Sequence, residues 1–256
     1  MQPLRLTLLQ TDLVWQDTDQ NLKNIEAKIE KLHGKTDLIV LPEMFNTGFT
    51  MNTGHAKEAD RVIFWLKEQA AKLDTAIIGS IIVNEEEKYY NRLLLVTNEG
   101  VIHHYDKRHL FTFSHEDKYY KPGQKRLEYE LKGWRICPLI CYDLRFPVWS
   151  RNTNNYDLLI YVANWPSGRS FAWKTLLAAR AIENQSYVAG VNRIGTDGKG
   201  HEYSGDSVCL DFLGNTMVSC EDREEVLTIE LGKSTLTKFR HAFPALADKD
   251  NFNLIL

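Results

Sequence analysis

The chain predicts an α/β fold: two β-sheets packed face to face with helices on their outer sides, a four-layer α-β-β-α sandwich. Two observations carry this. Short, wholly apolar runs alternate with stretches whose apolar residues recur at helical spacing, and the order of elements in the first half returns in the second. The repeat is one of element order, not of residues. A single doubly wound sheet satisfies the same pattern.

RLTLLQTD opens the chain as a strand. Leu22, Ile25, Ile29 and Leu32 follow at helical spacing, and Gly34 stops that helix. TDLIVLPE is a short apolar run of the kind buried on both faces. Residues 57–73 are helical, with Val62, Trp65, Leu66, Gln69, Ala70 and Leu73 along one side. AIIGSIIV is another buried strand. NRLLLVTNEG and VIHHYDK form a hairpin around Asn98-Glu99-Gly100.

The second half follows suit. WRICPLICYD matches the opening strand, and a short helix follows Pro147. YDLLIYVANW matches TDLIVLPEMF. Residues 170–184 are helical, with Trp173, Leu177, Ala181 and Asn184 in line. SYVAGVNRIG matches AIIGSIIV, and SGDSVCLDFLG, NTMVSC and EEVLTIEL supply the last strands.

These elements read as one domain over residues 1–256, long enough to bury a core without staples. A tail from about residue 238, carrying Phe243 and Phe252, is expected to pack at a subunit interface. With 43% hydrophobic and 25% charged residues, the composition excludes disorder, collagen and a disulfide scaffold. A net charge of -3 argues against nucleic acid as a partner. The cysteines Cys137, Cys141, Cys209 and Cys220 read as reduced thiols. MQPLRLTLLQTDLVW does not read as a signal peptide, and no apolar run reaches the ~18 residues of a membrane span. The expectation is a soluble, cytoplasmic protein.

Three residues at strand ends bear on chemistry. Glu43 follows DLIVLP, where a carboxylate points into the crevice at a sheet's carboxyl edge. Cys141 ends ICPLIC at a strand-to-helix turn, where backbone N–H groups lower a thiol's pKa and can hold an oxyanion. Lys107 ends VIHHYDK on one face with Val101, His103 and Tyr105. Each has a bland counterpart: a paired Glu, an inert core Cys, a solvated Lys.

In combination they say more. LPEMFNTGF, YDKRHLF and ICYDLRFPVWSR stand in this order, and here the sequence resembles the nitrilase superfamily of carbon–nitrogen hydrolases. ANWP and ARAIENQSYVAGVNR further resemble its omega-amidase branch, which acts on 2-oxo acid amides such as 2-oxoglutaramate and 2-oxosuccinamate. The resemblance implies the α-β-β-α sandwich, a homodimer or larger homo-oligomer, and a small amide as substrate. It implies no metal and no organic cofactor. It makes Cys141 the nucleophile, Glu43 the proton shuttle and Lys107 the oxyanion stabiliser together with the backbone N–H of Tyr142. Glu116, in FSHEDKYYKPG, takes the place of the family's second glutamate, against a bland pairing with Lys118 or Lys121.

For the substrate carboxylate, Arg145, Arg169 and Arg193 are candidates because guanidinium grips carboxylate in a fork. Arg169 is favoured, with Trp165 as an apolar wall. Arg145 is expected to hold its turn through Asp143, and Arg180 to form a structural ion pair. The alternatives are another amidase or carbamoylase of the superfamily, a Cys–His hydrolase using His103, His104 or His109, a zinc site at Cys137 and Cys141, or a binding module. Residues 195–200, GTDGKG, read as a turn rather than a phosphate loop.

Overall fold

In the computed structural model, which describes residues 2–254, the chain forms two six-stranded sheets. The first half runs β1 (Leu4–Gln10), α1 (Thr18–Ile29), β2 (Leu38–Val40), α2 (Ala59–Leu73), β3 (Ala76–Glu85), β4 (Lys88–Val96) and β5 (Ile102–Asp106). After β6 (Tyr129–Leu131) come β7 (Trp134–Ile140), α3 (Pro147–Ser150), β8 (Leu158–Ala163), α4 (Ser170–Asn184) and β9 (Tyr187–Asn192). A hairpin of β10 (Ile194–Thr196) and β11 (Glu202–Ser204) follows. The chain closes with β12 (Val208–Leu210), β13 (Thr216–Ser219), β14 (Glu225–Leu231) and α5 (Lys233–Ala242). Strand order is β14-β1-β2-β3-β4-β5 in one sheet and β13-β12-β9-β8-β7-β6 in the other. The doubly wound alternative is thereby excluded.

The period of two along each strand sorts side chains between layers. Leu38, Val40, Ile78, Leu93 and Leu95 face the second sheet and join a core with Ile136, Leu139 and Ile160. Their neighbours Ile39, Leu41, Ile77 and Leu94 turn outward onto Ile25, Val62, Leu66 and Ala70 of α1 and α2. On the far side, Trp173, Leu177 and Ala181 of α4 cover β9. The helix comes so close that a Cβ on Gly190 would lie 2.5 Å from Leu177 Cδ1.

The repeated order is physical. Asp37 and Asp157 start β2 and β8 in the same way: each accepts the backbone N–H of an arginine on the preceding strand, Arg5 or Arg135. Each also donates its own N–H back to that arginine's carbonyl, at 2.8 Å. Helices α2 and α4 both end on a left-handed residue, Asp74 or Gln185, whose N–H returns to the last turn. The symmetry fails at β14. That strand lies late in the chain but pairs antiparallel with β1, from Leu4↔Leu231 to Gln10↔Glu225, and covers an edge that would otherwise be open. The tail packs on its own chain: Arg240 donates to the carbonyls of Tyr156 and Gln185, and Leu246 is buried.

Asp37 also pairs with the Arg5 side chain and Lys132. Burial opposes its charge, but these partners prevail and draw its pKa down to about 2. A depressed carboxylate stabilises the fold above its unfolded pKa and loses that contribution as pH falls through the folded value. Solvent screening at Arg5 and Lys132 trims the contribution to about 1–2 kcal/mol. Asp37→Asn is therefore expected to lower the urea midpoint at pH 7, by an amount that shrinks as pH falls from about 4 toward 2. An equal deficit at both ends would point to shape rather than charge.

Candidate active site

The predicted residues converge where strands of both sheets end. Glu43 follows β2, and the next residue, Met44, turns the chain with φ 44° and an N–H donated to Ser80 Oγ. Lys107 directly follows β5, and Cys141 directly follows β7 as the first residue of a 3-10 turn, at φ 43°. A left-handed non-glycine residue costs of order 1 kcal/mol or more and marks a constrained elbow. Glu116 sits in the 3-10 turn Glu116–Lys118.

Glu43, Lys107 and Glu116 form one buried cluster. Lys107 Nζ lies 2.8 Å from Glu43 Oε1 and 3.1 Å from Glu116 Oε1. Lys118 and Lys121 take no part among the described residues. Burial works against the Lys107 ammonium, but Glu116 and Glu43 together hold its pKa above the ordinary lysine value. It is a fixed cation, a hydrogen-bond donor rather than a base. Glu116 shifts upward as well, which disfavours its charge: burial, joined by the charge on Glu43, raises its pKa against the pull of Lys107.

Glu43, Lys107 and Cys141 line one pocket of about 300 Å³, with Tyr142, Arg145, Asn164, Trp165 and Arg169. The thiol corrects one expectation. Burial and the neighbouring Glu43 push its pKa well up, and the stabilising influence of Lys107 does not outweigh them. The sulfur therefore rests protonated, and its proton must leave as it attacks. Among the described residues its hydrogen-bond partner is the Asn164 carbonyl, at 3.9 Å, with no histidine in that role. His109 instead bonds Asp143, and His103 packs on Tyr129. Cys137 is buried in the core.

Arg145 is a second correction. Both oxygens of Asp143 are already engaged, by Ile140 N–H and Tyr105 Oη on one side and by His109 on the other. Asp143 thus ties the end of β7 to the segment carrying Lys107. Arg145, left without a carboxylate partner among the described residues, stacks over Trp165 at 5.0 Å and lines the pocket. Arg169 lines it too, with its guanidinium over Phe111 and Phe113. Trp165 is both wall and core, its ring 5.4 Å from Trp173. Arg193 is buried and paired with Asp12, and Arg180 pairs with Glu183 and the Leu144 carbonyl.

Sequence reading missed two asparagines. Asn91 Nδ2 donates to Glu43 Oε1 at 2.8 Å, and Asn164 N–H donates to Glu43 Oε2 at 2.9 Å. A polar residue on the inward face of β4, in register with Leu93 and Leu95, was the available signal for the first. The GTDGKG turn is present between β10 and β11, organised by Asp197, and it brings Lys199 and His201 to the pocket.

Residues 5–241 match the family model for carbon-nitrogen hydrolases. The chain belongs to the carbon–nitrogen hydrolase family. Among this hydrolase's relatives, the omega-amidase YafV of Yersinia enterocolitica is 49% identical over 100% of both chains. The 2-oxoglutaramate amidase of Bacillus subtilis is 34% identical, covering 95% of this chain and 96% of that one. The crystal structure of XC1258 from Xanthomonas campestris, a CN-hydrolase superfamily protein with an arsenic adduct in its active site, superposes with a TM-score of 0.94. It is 44% identical, over 99% of this chain and 100% of that one. The carbon–nitrogen hydrolase fold is the α-β-β-α sandwich expected from the element order.

Proposed function

We propose that this protein is an omega-amidase, hydrolysing the terminal carboxamide of a small 2-oxo acid such as 2-oxoglutaramate or 2-oxosuccinamate to carboxylate and ammonia. The observation that carries the reading is one pocket holding a thiol, a carboxylate and a buried ammonium, with an uncommitted guanidinium, Arg145, among its lining residues. The names of the relatives at 49% and 34% identity support the same substrate class.

The mechanism follows from the charges. Glu43 takes the Cys141 proton as sulfur attacks the amide carbon. The oxygen of the tetrahedral intermediate is stabilised by Lys107 Nζ and the Tyr142 N–H. Glu43 returns the proton to the departing amine, and ammonia leaves a thioester on Cys141. Glu43 then draws a proton from water, which attacks the thioester, and passes that proton to the departing Cys141 sulfur as the acid is freed. Glu116 keeps Lys107 aligned throughout. A small free amide needs no macromolecular partner; the reading includes the homo-oligomer that the family resemblance implies, and the four free cysteines suit a reducing cytoplasm.

Ammonia release from 2-oxoglutaramate, 2-oxosuccinamate, glutamine, asparagine and a carbamoyl amino acid tests the reading. The 2-oxo acid amides should turn over well above the rest. Preference for the carbamoyl compound would make the protein a carbamoylase instead. Arg145→Leu is expected to raise KM for 2-oxoglutaramate by about 10–100-fold with a smaller change in kcat, the loss of one charge-assisted fork. An unchanged KM would move the carboxylate to Arg169.

A further inference from the structure

Asn91 is fully buried on β4, on the face it shares with Leu93 and Leu95. Its Nδ2 lies 2.8 Å from Glu43 Oε1 and 3.4 Å from Glu116 Oε1. Its backbone carbonyl accepts the N–H of Lys107 at 3.0 Å. One residue therefore touches all three charged members of the cluster. Its Oδ1 is buried without a partner among the described residues. Leaving a buried acceptor unpaired costs free energy, and an apolar side chain would avoid that cost. Turning the amide over would satisfy nothing, because Oδ1 would then face two carboxylates.

We propose that Asn91 is a positioning residue that keeps both carboxylates of the active site ionised and apart, giving one amide hydrogen to each. Two carboxylates share one ammonium, so the cluster carries an excess negative charge that favours uptake of a proton by one acid. A donor to each carboxylate opposes that uptake and holds Glu43 ready to receive the thiol proton. Among the described residues the titratable groups facing the cluster are Lys107, Cys141 and Tyr120, and of these only Lys107 adds positive charge. The proposal rests on Glu43 as the acid–base group of the reaction above.

Asn91→Asp and Asn91→Ala are compared with the parent and with Glu43→Gln, using 2-oxoglutaramate and thermal melting. Asn91→Asp keeps the shape and removes both donors. Its kcat should fall about 100-fold or more, with KM within about threefold. Asn91→Ala should lose at least about tenfold in kcat, and the acid limb of its kcat/KM profile should move up by about one pH unit. Parent-like kcat in both variants, or a loss with an unmoved acid limb, overturns the proposal. So does a pair of variants that do not fold, which would place Asn91 in the fold and not in the chemistry. Turnover by Glu43→Gln would instead sink the acid–base assignment itself. A dead Glu43→Gln beside active Asn91 variants would sink this proposal alone.

Discussion

Cys141→Ala is expected to yield a folded protein whose ammonia release is down by about 10⁴-fold or more. The thiol begins the covalent step, and the hydroxyl of Ser114, which also lines the pocket, is engaged with the Phe111 carbonyl. The site tolerates the smaller side chain, because Cys141 lines the pocket and packs against the main core without being one of its fully buried members. The thermal midpoint should therefore stay close to that of the parent. Mass spectrometry offers the complementary readout: the parent, quenched during turnover, should carry an acyl adduct on Cys141, and the variant should carry none. Retained turnover in the variant would remove the thioester from the mechanism.

Lys107→Met is expected to damage both rate and stability. The ammonium is the cation paired with both Glu43 and Glu116, and all three side chains are buried. Removing one partner of a buried pair typically costs about 3–5 kcal/mol, because a charge is left uncompensated. Loss of one oxyanion donor costs a further factor of about 10²–10³ in kcat. Glu116 already has a raised pKa, so the folded state binds its proton more readily than the unfolded chain. Protonation therefore favours folding, the more so without Lys107. The stability deficit measured by urea unfolding should shrink between pH 7 and pH 5. A deficit constant across that range would mean that lost packing, and not charge, is responsible.

Much of this was legible in advance, for physical reasons. Helices α2 and α4 declared themselves through apolar residues at 3.6-residue spacing, and Val62, Trp65 and Leu177 are buried as that spacing requires. Glu43, Lys107 and Cys141 were readable because each ends a strand in a recognisable local context. What escaped was set by contacts between distant segments. Asn91 and Glu43 are 48 residues apart, and Asn164 and Glu43 are 121 apart, so no local spacing joins them. Asp143 looked like the partner of Arg145 because they are neighbours in the chain, but its oxygens are taken by Tyr105 of β5 and by His109 just beyond that strand. The thiol's direction of shift was missed for the same reason: the turn is local, whereas the burial and the carboxylates that raise its pKa come from elsewhere.

The pairing of β1 with β14 has a consequence for biosynthesis. A ribosome delivers the chain from the amino end, yet Leu4 finds its hydrogen-bonding partner only at Leu231. The first sheet is thus born with one edge unsealed, and it stays unsealed until β14 has been made. A nascent chain held short of that point exposes a ready template for intermolecular pairing. Slow or interrupted translation just before β14 should therefore favour chaperone binding and aggregation, although the pocket-lining residues, Glu43 to Tyr203, have already been made.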